Sequence, residues 1–292
     1  MCQVVAGLCD LGYSSRRSCR IVGLSRSTFF DNKFRHPSSR EIRRLLLSDV
    51  IAEIHSSSRG TYGKRRIRAT LLIERDLIVN PKLVARIMAD LGIYGLPRKK
   101  AGIRNLVNVA TSSDLIKRNF TAQGPNQIWL TDITEHPTRE GKLYCCVVLD
   151  VFSRAVVGWS IDRHQDTDMV NDAINMAARE RLRDKGVILH SDHGTQFTSW
   201  SFSQNIERLG LVGSMGSIGD CFDNAPMEAF WGRMQVELLN RKKWTTVVEL
   251  SIAMADYIVN FYNVERRHSA LGYLTPVEFE AVELSKNPFI LT

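Results

Sequence analysis

The sequence predicts an α/β protein in which a mixed β-sheet packed with helices follows an all-helical region. After residue 125, three strand-like segments succeed one another and give way to alternating helical and strand-like segments. Before that point, apolar residues recur at helical spacing. Charge divides the chain in the same way: residues 1–120 contain 23 Lys and Arg against 9 Asp and Glu, whereas the remaining 172 residues contain 16 against 22. The two halves are therefore expected to have different roles.

Composition indicates a folded protein without a membrane partner. Of the 292 residues, 44% are hydrophobic and 24% are charged, which is the usual mixture for a globular domain. The longest apolar run, Tyr144 to Leu149, is too short to cross a bilayer, and the N-terminus lacks the pattern of a signal peptide. We therefore expect a cytoplasmic protein. The six cysteines form no C-x-x-C pair, which disfavours both a zinc site and a disulfide framework.

Residues 1–35 are predicted to form two short helices around a tight turn. Gly23 allows the turn, and Ser25 can cap the helix that follows. The apolar residues expected to pack this pair of helices are Ile21, Val22, Leu24 and Phe29. The pattern fits a candidate helix-turn-helix that reads DNA, and the alternative is a plain helical hairpin.

Residues 40–98 are predicted to form a second helical unit, which binds DNA. Its first helix is indicated by apolar residues at helical spacing, namely Ile42, Leu45, Leu46, Ile51 and Ile54. A second helix is expected from about Lys64 to Glu74. A third begins at Asn80 and Pro81, which are suited to the N-cap and the first helical position.

This helical unit carries clustered basic residues. Four are predicted to form one basic face on the second helix and three more follow the unit: Lys64, Arg65, Arg66 and Arg68, then Arg98, Lys99 and Lys100. Clustered Lys and Arg typically contact nucleic-acid phosphates, although a solvated Arg-rich helical surface has the same composition. Residues 99–121 are polar and weakly patterned, which predicts a linker.

Three acidic residues occupy unusual positions in the sheet half. Asp132 lies within the first strand, where a charge is costly unless it is paired or bound to a metal. Asp192 directly follows a short strand, and catalytic groups in α/β sheets gather at the carboxyl ends of strands. Glu228 stands at the start of a helix. Singly, each has a structural explanation: Asp132 could cap a bulge, Asp192 could be a turn residue and Glu228 could stabilise the helix dipole.

Together, the three carboxylates predict a metal site. Brought to one point, they repel each other unless cations neutralise them. Oxygen-only ligands select hard divalent ions, so Mg²⁺ or Mn²⁺ is expected. Two such ions about 3.5–4 Å apart can activate an attacking hydroxyl and stabilise the leaving oxygen of a phosphodiester.

The acids occur within motifs that resemble a known family. The matching segments are Trp129-Leu130-Thr131-Asp132-Ile133-Thr134, Asp150 with Phe152-Ser153-Arg154, His190-Ser191-Asp192-His193-Gly194, Asp223-Asn224-Ala225-Pro226-Met227-Glu228, Ser58-Arg59-Gly60-Thr61-Tyr62-Gly63 and Arg266-Arg267-His268-Ser269-Ala270-Leu271-Gly272-Tyr273. Thirty-five residues separate Asp192 from Glu228, the spacing that this family shows. Over about residues 40–282 the chain resembles the OrfB-type transposases of a large bacterial insertion-sequence family, which are DDE transposases of the retroviral-integrase-like superfamily.

The resemblance implies a fold and an activity. It implies a ribonuclease H-like integrase catalytic core over residues 122–285, with Asp132, Asp192 and Glu228 as the catalytic and metal-binding triad. The implied reaction is metal-dependent cleavage and strand transfer of double-stranded DNA at the ends of an insertion sequence. Water attacks first, the freed 3′-hydroxyl attacks next, and no covalent protein intermediate forms. A branched and then circular form of the element is the implied product.

The resemblance also implies partners. Two DNA ends are joined in concert, so a homo-oligomer on DNA is expected. Members of this family act with an upstream helix-turn-helix and leucine-zipper protein, or as a fusion with it, and no heptad repeat for such a zipper occurs here. The implied location is the cytoplasm, in association with the nucleoid.

One position departs from the family pattern. Where the family has Lys or Arg seven residues after the triad Glu, this chain has Gln235, which can hydrogen-bond DNA but cannot neutralise a phosphate. Arg233 and Arg241 are candidates to compensate for the missing charge. Gln235 and Arg233 are therefore both expected to contact DNA.

Three further candidate DNA-binding residues have two explanations each. His193, next to Asp192, either contacts the scissile phosphate or is a turn residue. Arg267 and His268 lie in a polar Arg-rich run, where they either approach the active site or cap a helix.

Two other functions fit parts of the sequence. A non-catalytic DNA-binding protein derived from a transposase would keep the basic half, but it gives no reason to hold three carboxylates together. A recombinase with a Ser or Tyr nucleophile would form a covalent protein–DNA adduct. Tyr262 and Tyr273 are available for that role, but no catalytic set of Arg and His is evident around either.

Overall fold

A computed structural model describes residues 1–34, 36–97, 121–181, 186–192, 194–215 and 225–286. Several residues discussed above lie outside these ranges. They are Arg98, Lys99, Lys100, His193, Asp223 and Asn224, together with residues 99–120 of the predicted linker.

The N-terminal segment contains one helix more than the two predicted, within its described residues. Its helices are α1 (Cys2–Asp10), α2 (Ser15–Val22) and α3 (Arg26–Phe34). Gly23 makes the predicted turn with φ +67°, and the Ser25 hydroxyl accepts a hydrogen bond from the Thr28 backbone N–H at 3.0 Å. Val5, Cys19 and Phe29 form a small core. Ile21 was expected in that core but is 69% exposed, because it lies on the outer face of α2.

A second helical unit follows, with its helices close to their predicted positions. They are α4 (Ser39–Ser57), α5 (Lys64–Arg75) and α6 (Pro81–Asp90). The Asn80 side chain caps α6 by accepting a hydrogen bond from the Lys82 backbone N–H at 2.8 Å, and Pro81 occupies the first helical position as predicted. Ser38 and Glu41 form a capping box that starts α4.

The packing face of α4 differs in part from the predicted one. Leu47, Ile51 and Ile54 are buried against α5 and α6. By contrast, the exposed apolar residues at the start of the helix are Ile42, Leu45 and Leu46, at 48%, 64% and 62% exposure. The predicted stripe was wrong for these three residues, because this apolar helix carries more than one stripe and its neighbours decide which is covered.

The sheet combines antiparallel and parallel strands. Its strands in the described residues are β1 (Ile128–Thr138), β2 (Gly141–Asp150), β3 (Val156–Asp162), β4 (Ile188–Ser191) and β5 (Val212–Met215), in the spatial order β3-β2-β1-β4-β5. β1 pairs antiparallel with β2, and β2 with β3, whereas β4 runs parallel to both β1 and β5. This architecture is a mixed sheet packed with helices, as predicted for the core.

Helices cover both faces of the sheet. They are α7 (Thr167–Arg181), α8 (Trp200–Leu209), α9 (Ala225–Glu237), α10 (Val247–Asp256), which continues as a π-helix (Tyr257–Glu265), and α11 (Pro276–Lys286). α7 and α8 pack with Trp129, Val148 and Leu189 on one face. α9, α10 and the π-helix pack with Leu130 and Val147 on the other. This second face is the one that carries the candidate site.

The second helical unit docks on the sheet domain through hydrogen bonds and ion pairs. The buried Tyr62 hydroxyl donates to the Glu265 carbonyl at 3.1 Å and accepts from the Arg267 backbone N–H at 2.7 Å. Arg59 forms an ion pair with Asp256 at 2.6 Å. The Ser58–Gly63 motif thus has a docking role. Within the described residues, no helix is both long and apolar enough to cross a membrane.

Candidate active site

Strand register brings the first two acids together. β1 and β4 are parallel neighbours in which Leu130 lies opposite His190. Asp132 follows Leu130 by two residues, and Asp192 follows His190 by two residues. Because neighbouring strands lie about 4.8 Å apart, the two aspartates lie next to each other where β4 ends.

Helix α9 brings Glu228 to the same edge. Glu228 lies in its first turn, and Trp231 follows three residues later on the same side of the helix. The Trp231 indole Nε1 donates a hydrogen bond to Asp132 Oδ2 at 3.0 Å. Met227 and Phe230 are buried in the core beneath the helix. Packing therefore fixes α9 with its Glu228 side toward β1.

The negative charges of Asp192 and Glu228 act on Asp132. The pKa of Asp132 is raised to about 6, chiefly by burial and further by the negative charges of Asp192 and Glu228. Hydrogen bonds from the Ile133 backbone N–H and from Trp231 oppose this shift only in part. Without a cation nearby, the ionised form of Asp132 is therefore destabilised.

Three carboxylates are suitable ligands for a divalent ion, although they are not arranged in a coordination geometry in this structure. Within the described residues, no group of three His, Cys, Asp or Glu side chains is arranged to hold a metal ion. Asp192 and Glu228 are exposed, so their side chains can turn toward Asp132. Each hydrogen-bonded oxygen of Asp132 retains a free lone pair for a further ligand. The repulsion that raises the Asp132 pKa is the property that a hard cation would relieve.

Trp231 is a site residue that the sequence analysis missed. The sequence could have indicated it, because a residue three positions after Glu228 lies on the same face of the helix. A buried carboxylate needs a fixed partner, and the indole N–H gives Asp132 one without adding charge.

The predicted basic face on α5 is divided. Lys64, Arg65 and Arg68 are exposed. Arg66 instead turns to the sheet domain, where its guanidinium lies 3.6 Å from Glu237 and its side chain is only 17% exposed. The prediction of one face of four residues was therefore wrong, because successive helical residues point about 100° apart.

Arg267 has a structural role and not the predicted contact with DNA. Its side chain is 4% exposed and forms ion pairs with Glu74 at 2.7 Å and with Glu278 at 3.0 Å. Glu74 belongs to α5 and Glu278 to α11, so Arg267 ties the helical unit to the C-terminal helix. A guanidinium held in this way cannot reach a phosphate at the surface.

His268 is buried, with its ring against Tyr262 at a centroid distance of 4.8 Å. Burial, with the charge of Arg266 next, lowers its pKa well below the usual value, so the ring is neutral. His268 precedes a short 3₁₀ helix (Ser269–Leu271), but its side chain makes no capping hydrogen bond to the described residues of that helix. The explanation that His268 caps a helix is therefore disfavoured.

The helix position that departs from the family pattern has a local partner. The Gln235 amide donates to the Asn240 side chain at 2.6 Å. Arg241 donates to the Arg59 carbonyl and so takes part in docking. Arg233 faces a cavity on the other side of α9 from Trp231.

Comparison with known families matches both halves of the chain. Residues 122–221 and residues 209–276 match family models described as an integrase core domain, and residues 41–101 match an HTH-like domain. These ranges cover the sheet domain and the second helical unit.

Curated relatives align over most of the chain. The transposase for insertion sequence element IS904 of Lactococcus lactis is 35% identical over 248 residues, which cover 84% of this chain and 98% of the relative. Transposase InsF for insertion sequence IS3A of Escherichia coli is 33% identical over 280 residues, which cover 94% and 96%. A solved HTLV-2 integrase catalytic core domain in complex with magnesium is similar with a TM-score of 0.41 and 18% identity, covering 55% of this chain and 99% of that one. With the integrase-core matches and 33–35% identity to curated transposases over most of its length, the chain belongs to the family of insertion-sequence transposases.

Proposed function

We propose that this transposase cuts and rejoins DNA strands at the ends of its insertion sequence, with Asp132, Asp192 and Glu228 as the catalytic and metal-binding residues. The observation that carries the proposal is the convergence of these acids. Asp132 within β1 and Asp192 just after β4 lie side by side on neighbouring strands, and Glu228 is on the helix whose Trp231 contacts Asp132. The negative charges of Asp192 and Glu228 both raise the pKa of Asp132.

The residues have distinct roles in this proposal. Mg²⁺ or Mn²⁺ ions, two in number, would supply the charge that activates the attacking oxygen and stabilises the leaving one. Asp132 is the fixed ligand, because Trp231 and the Ile133 N–H hold its carboxylate in place. Glu228 is exposed and Asp192 is exposed and held by a hydrogen bond from the Gly194 backbone N–H at 2.9 Å, so both are less enclosed than Asp132. The proposed metal site is thus built around the carboxylate of Asp132, whose position is fixed.

The proposed reaction is two transfers at phosphorus. In the first, a water oxygen bonds to a phosphorus at the element end, the bond to the 3′-oxygen breaks, and that oxygen leaves with a proton. In the second, this 3′-hydroxyl attacks another phosphodiester and displaces its bridging oxygen. No protein atom bonds to DNA. The burial of Tyr262, which raises its pKa to about 12, argues against that tyrosine as a nucleophile.

DNA contact is proposed for the exposed basic residues of the helical unit. Lys64, Arg65 and Arg68 present three charges on the solvent side of α5, and clustered charges of this kind bind phosphates. Double-stranded DNA is accordingly the proposed substrate, and two or more copies of the chain would assemble on it. An upstream helix-turn-helix and leucine-zipper protein stays a proposed partner.

Substitution of the acids tests the catalytic proposal. Asp132→Asn, Asp192→Asn and Glu228→Gln should each lower cleavage of DNA carrying the element ends in Mg²⁺ by at least about 100-fold, because each removes a ligand for the charge that stabilises the transition state. DNA binding should persist. The matched control is Glu135→Gln, which neutralises an exposed carboxylate on the same strand that pairs with Lys142; it should leave cleavage unchanged.

Near-full strand transfer by any one of the three variants would show that the triad is misassigned. A protein–DNA adduct that survives denaturation would exclude the direct transfers.

A further inference from the structure

A basic cavity of about 420 Å³ lies on the other side of α9 from Trp231. Its basic and aromatic polar lining comes from the helical unit, the β2–β3 turn, α9, the π-helix and the segment after it: Arg66, Arg154, Arg233, Tyr262, Arg266 and His268. Among the described residues that line it, none is acidic. Four guanidinium groups around one cavity are a site for an anion.

A single buried carboxylate beside the cavity serves two of the arginines. Glu237 accepts hydrogen bonds from Arg266 at 2.7 and 2.8 Å and from the Tyr257 hydroxyl at 2.9 Å. Arg66 is also 3.6 Å from Glu237. Burial and then the charge of Arg266 lower the pKa of Arg66, and the charge of Glu237 opposes that shift only in part.

Arg154 is the residue that points most clearly to a ligand. Its guanidinium forms no ion pair or hydrogen bond with any described side chain, although burial is sufficient to lower its pKa. Asp150 acts on it through its charge, but the Asp150 oxygens accept hydrogen bonds from the backbone N–H groups of Ser153 and Asn126 at 2.9 and 2.7 Å. A half-buried charge without a bonded counter-charge costs free energy.

The β2–β3 turn is built to hold Arg154 in place. Arg154 has φ +60°, a left-handed backbone that is unfavourable for a non-glycine residue. The turn is fixed by Asp150, which accepts from both the backbone N–H and the hydroxyl of Ser153, and by Asn263, which brackets Val156 with two hydrogen bonds of 2.9 Å. The Phe152-Ser153-Arg154 motif thus directs a guanidinium into the cavity.

The cavity is adjacent to the three acids. Phe230 and Trp231 are neighbours on α9 with ring centroids 4.8 Å apart. Phe230 lines the cavity, whereas Trp231 contacts Asp132. The two sites are therefore separated by about one helix diameter, roughly 10 Å. Because a DNA strand carries a phosphate at every nucleotide, one strand can reach both sites.

We propose that this cavity binds a backbone phosphate of the DNA strand that enters the acid site, close to the reacting phosphodiester, with Arg154 as its principal ligand. The inference rests on the proposed function for the identity of the anion. Since Arg66 comes from the helical unit, the phosphate also contacts both parts of the protein, and DNA binding strengthens their docking.

The test is the salt dependence of DNA binding without divalent metal, so that no cleavage occurs. Wild type and Arg154→Gln are titrated with a fluorescent duplex in EDTA at several salt concentrations. Each phosphate contact contributes about 0.9 to the slope of log affinity against log salt. Arg154→Gln should lose about 0.9 of that slope, so the advantage of wild type should shrink about threefold between about 50 and 200 mM salt.

Two further variants make the result specific. Arg179→Gln removes the same charge from an arginine of α7 whose side chain is 73% exposed, and it should keep the wild-type slope. Ala270→Glu places a carboxylate at an exposed position of the cavity wall, and it should weaken binding even if Arg154→Gln proves unstable.

Equal slopes for wild type and Arg154→Gln, or an equal loss in Arg179→Gln, would overturn the proposal, as would unchanged affinity of Ala270→Glu. The outcome is separable from the catalytic one. A lost slope in Arg154→Gln supports the cavity even if the acid variants still cleave DNA.

Discussion

The two sides of helix α9 carry opposite charges and are built in opposite ways. On one side, Glu228 and Asp192 are exposed and add their repulsion to a half-buried Asp132. On the other side, Glu237 and Arg266 are buried and satisfied within the fold. On the acid side, the repulsion between carboxylates remains in the folded protein, and a bound cation would relieve it. Beside the basic cavity, the charges of Glu237 and Arg266 neutralise each other within the fold.

Breaking the buried ion pair should give the largest loss of stability. Glu237→Gln leaves Arg266, one of the largest fully buried side chains, without its counter-charge, and should lower the free energy of unfolding by about 3–5 kcal/mol. Urea denaturation measures this loss.

The control is Glu249→Gln, which breaks the pair with Lys242 between side chains that are 53% and 38% exposed. It should cost far less, because an exposed ion pair is screened by solvent. Equal losses of unfolding free energy for the two variants would show that the buried Glu237–Arg266 pair contributes no more to stability than an exposed ion pair.

Loosening the docking that supplies Arg66 should have an intermediate effect. Tyr62→Phe removes a hydroxyl that donates to the Glu265 carbonyl and accepts from the Arg267 N–H, which leaves two backbone groups unsatisfied and should cost about 2 kcal/mol in denaturation. Tyr94→Phe, at a tyrosine of the same helical unit that is 69% exposed, should cost nothing measurable. A neutral Tyr62→Phe would mean that docking does not depend on this contact.

Removing the charge of Asp132 should have the smallest effect on stability, and it should stabilise the protein where the other changes destabilise it. The Asp132 pKa of about 6 lies above its unfolded value of about 3.8, so the folded state binds the proton more tightly. Without metal, stability should then fall as pH rises from about 4 to 6. Asp132→Asn abolishes that fall and should gain on the order of 1 kcal/mol at pH 8, since the half-buried group is partly screened by solvent.

Thermal denaturation in EDTA at pH 4 and pH 8 checks this prediction. Glu135→Gln, which removes an exposed carboxylate of β1, should gain nothing at either pH. A destabilised Asp132→Asn at pH 8 would mean that the acids do not repel each other in the folded protein.

Much of the fold could be predicted from local patterns. The caps at Ser25 and Asn80 were predicted because they depend only on neighbouring backbone groups. The same logic would have revealed α11, which was not predicted: Thr275 and Glu278 exchange the hydrogen bonds of a capping box. The partial exposure of the α4 stripe could not be predicted, since apolar periodicity identifies a helix without identifying its neighbour.

The candidate site divides in the same way. Asp132 and Asp192 could be assigned because each stands at or next to a strand with few ways to satisfy a charge. The true surroundings of Arg66 and Arg267 could not be read from the chain, because their partners Glu237 and Glu74 are about 170 and 190 residues distant. Charge counts do not distinguish an arginine that faces solvent from one that is buried in an ion pair.

The amino-acid sequence by itself determined the element types, the mixed sheet, the acid motifs and membership of the transposase family, because all of these depend on local spacing. Only the tertiary structure decided that the helical unit docks through Tyr62, that Arg267 ties it to α11, and that Arg154 faces a cavity beside the acids. The physical reason is that hydrogen bonds and ion pairs act over a few ångströms in space, whatever the separation along the chain.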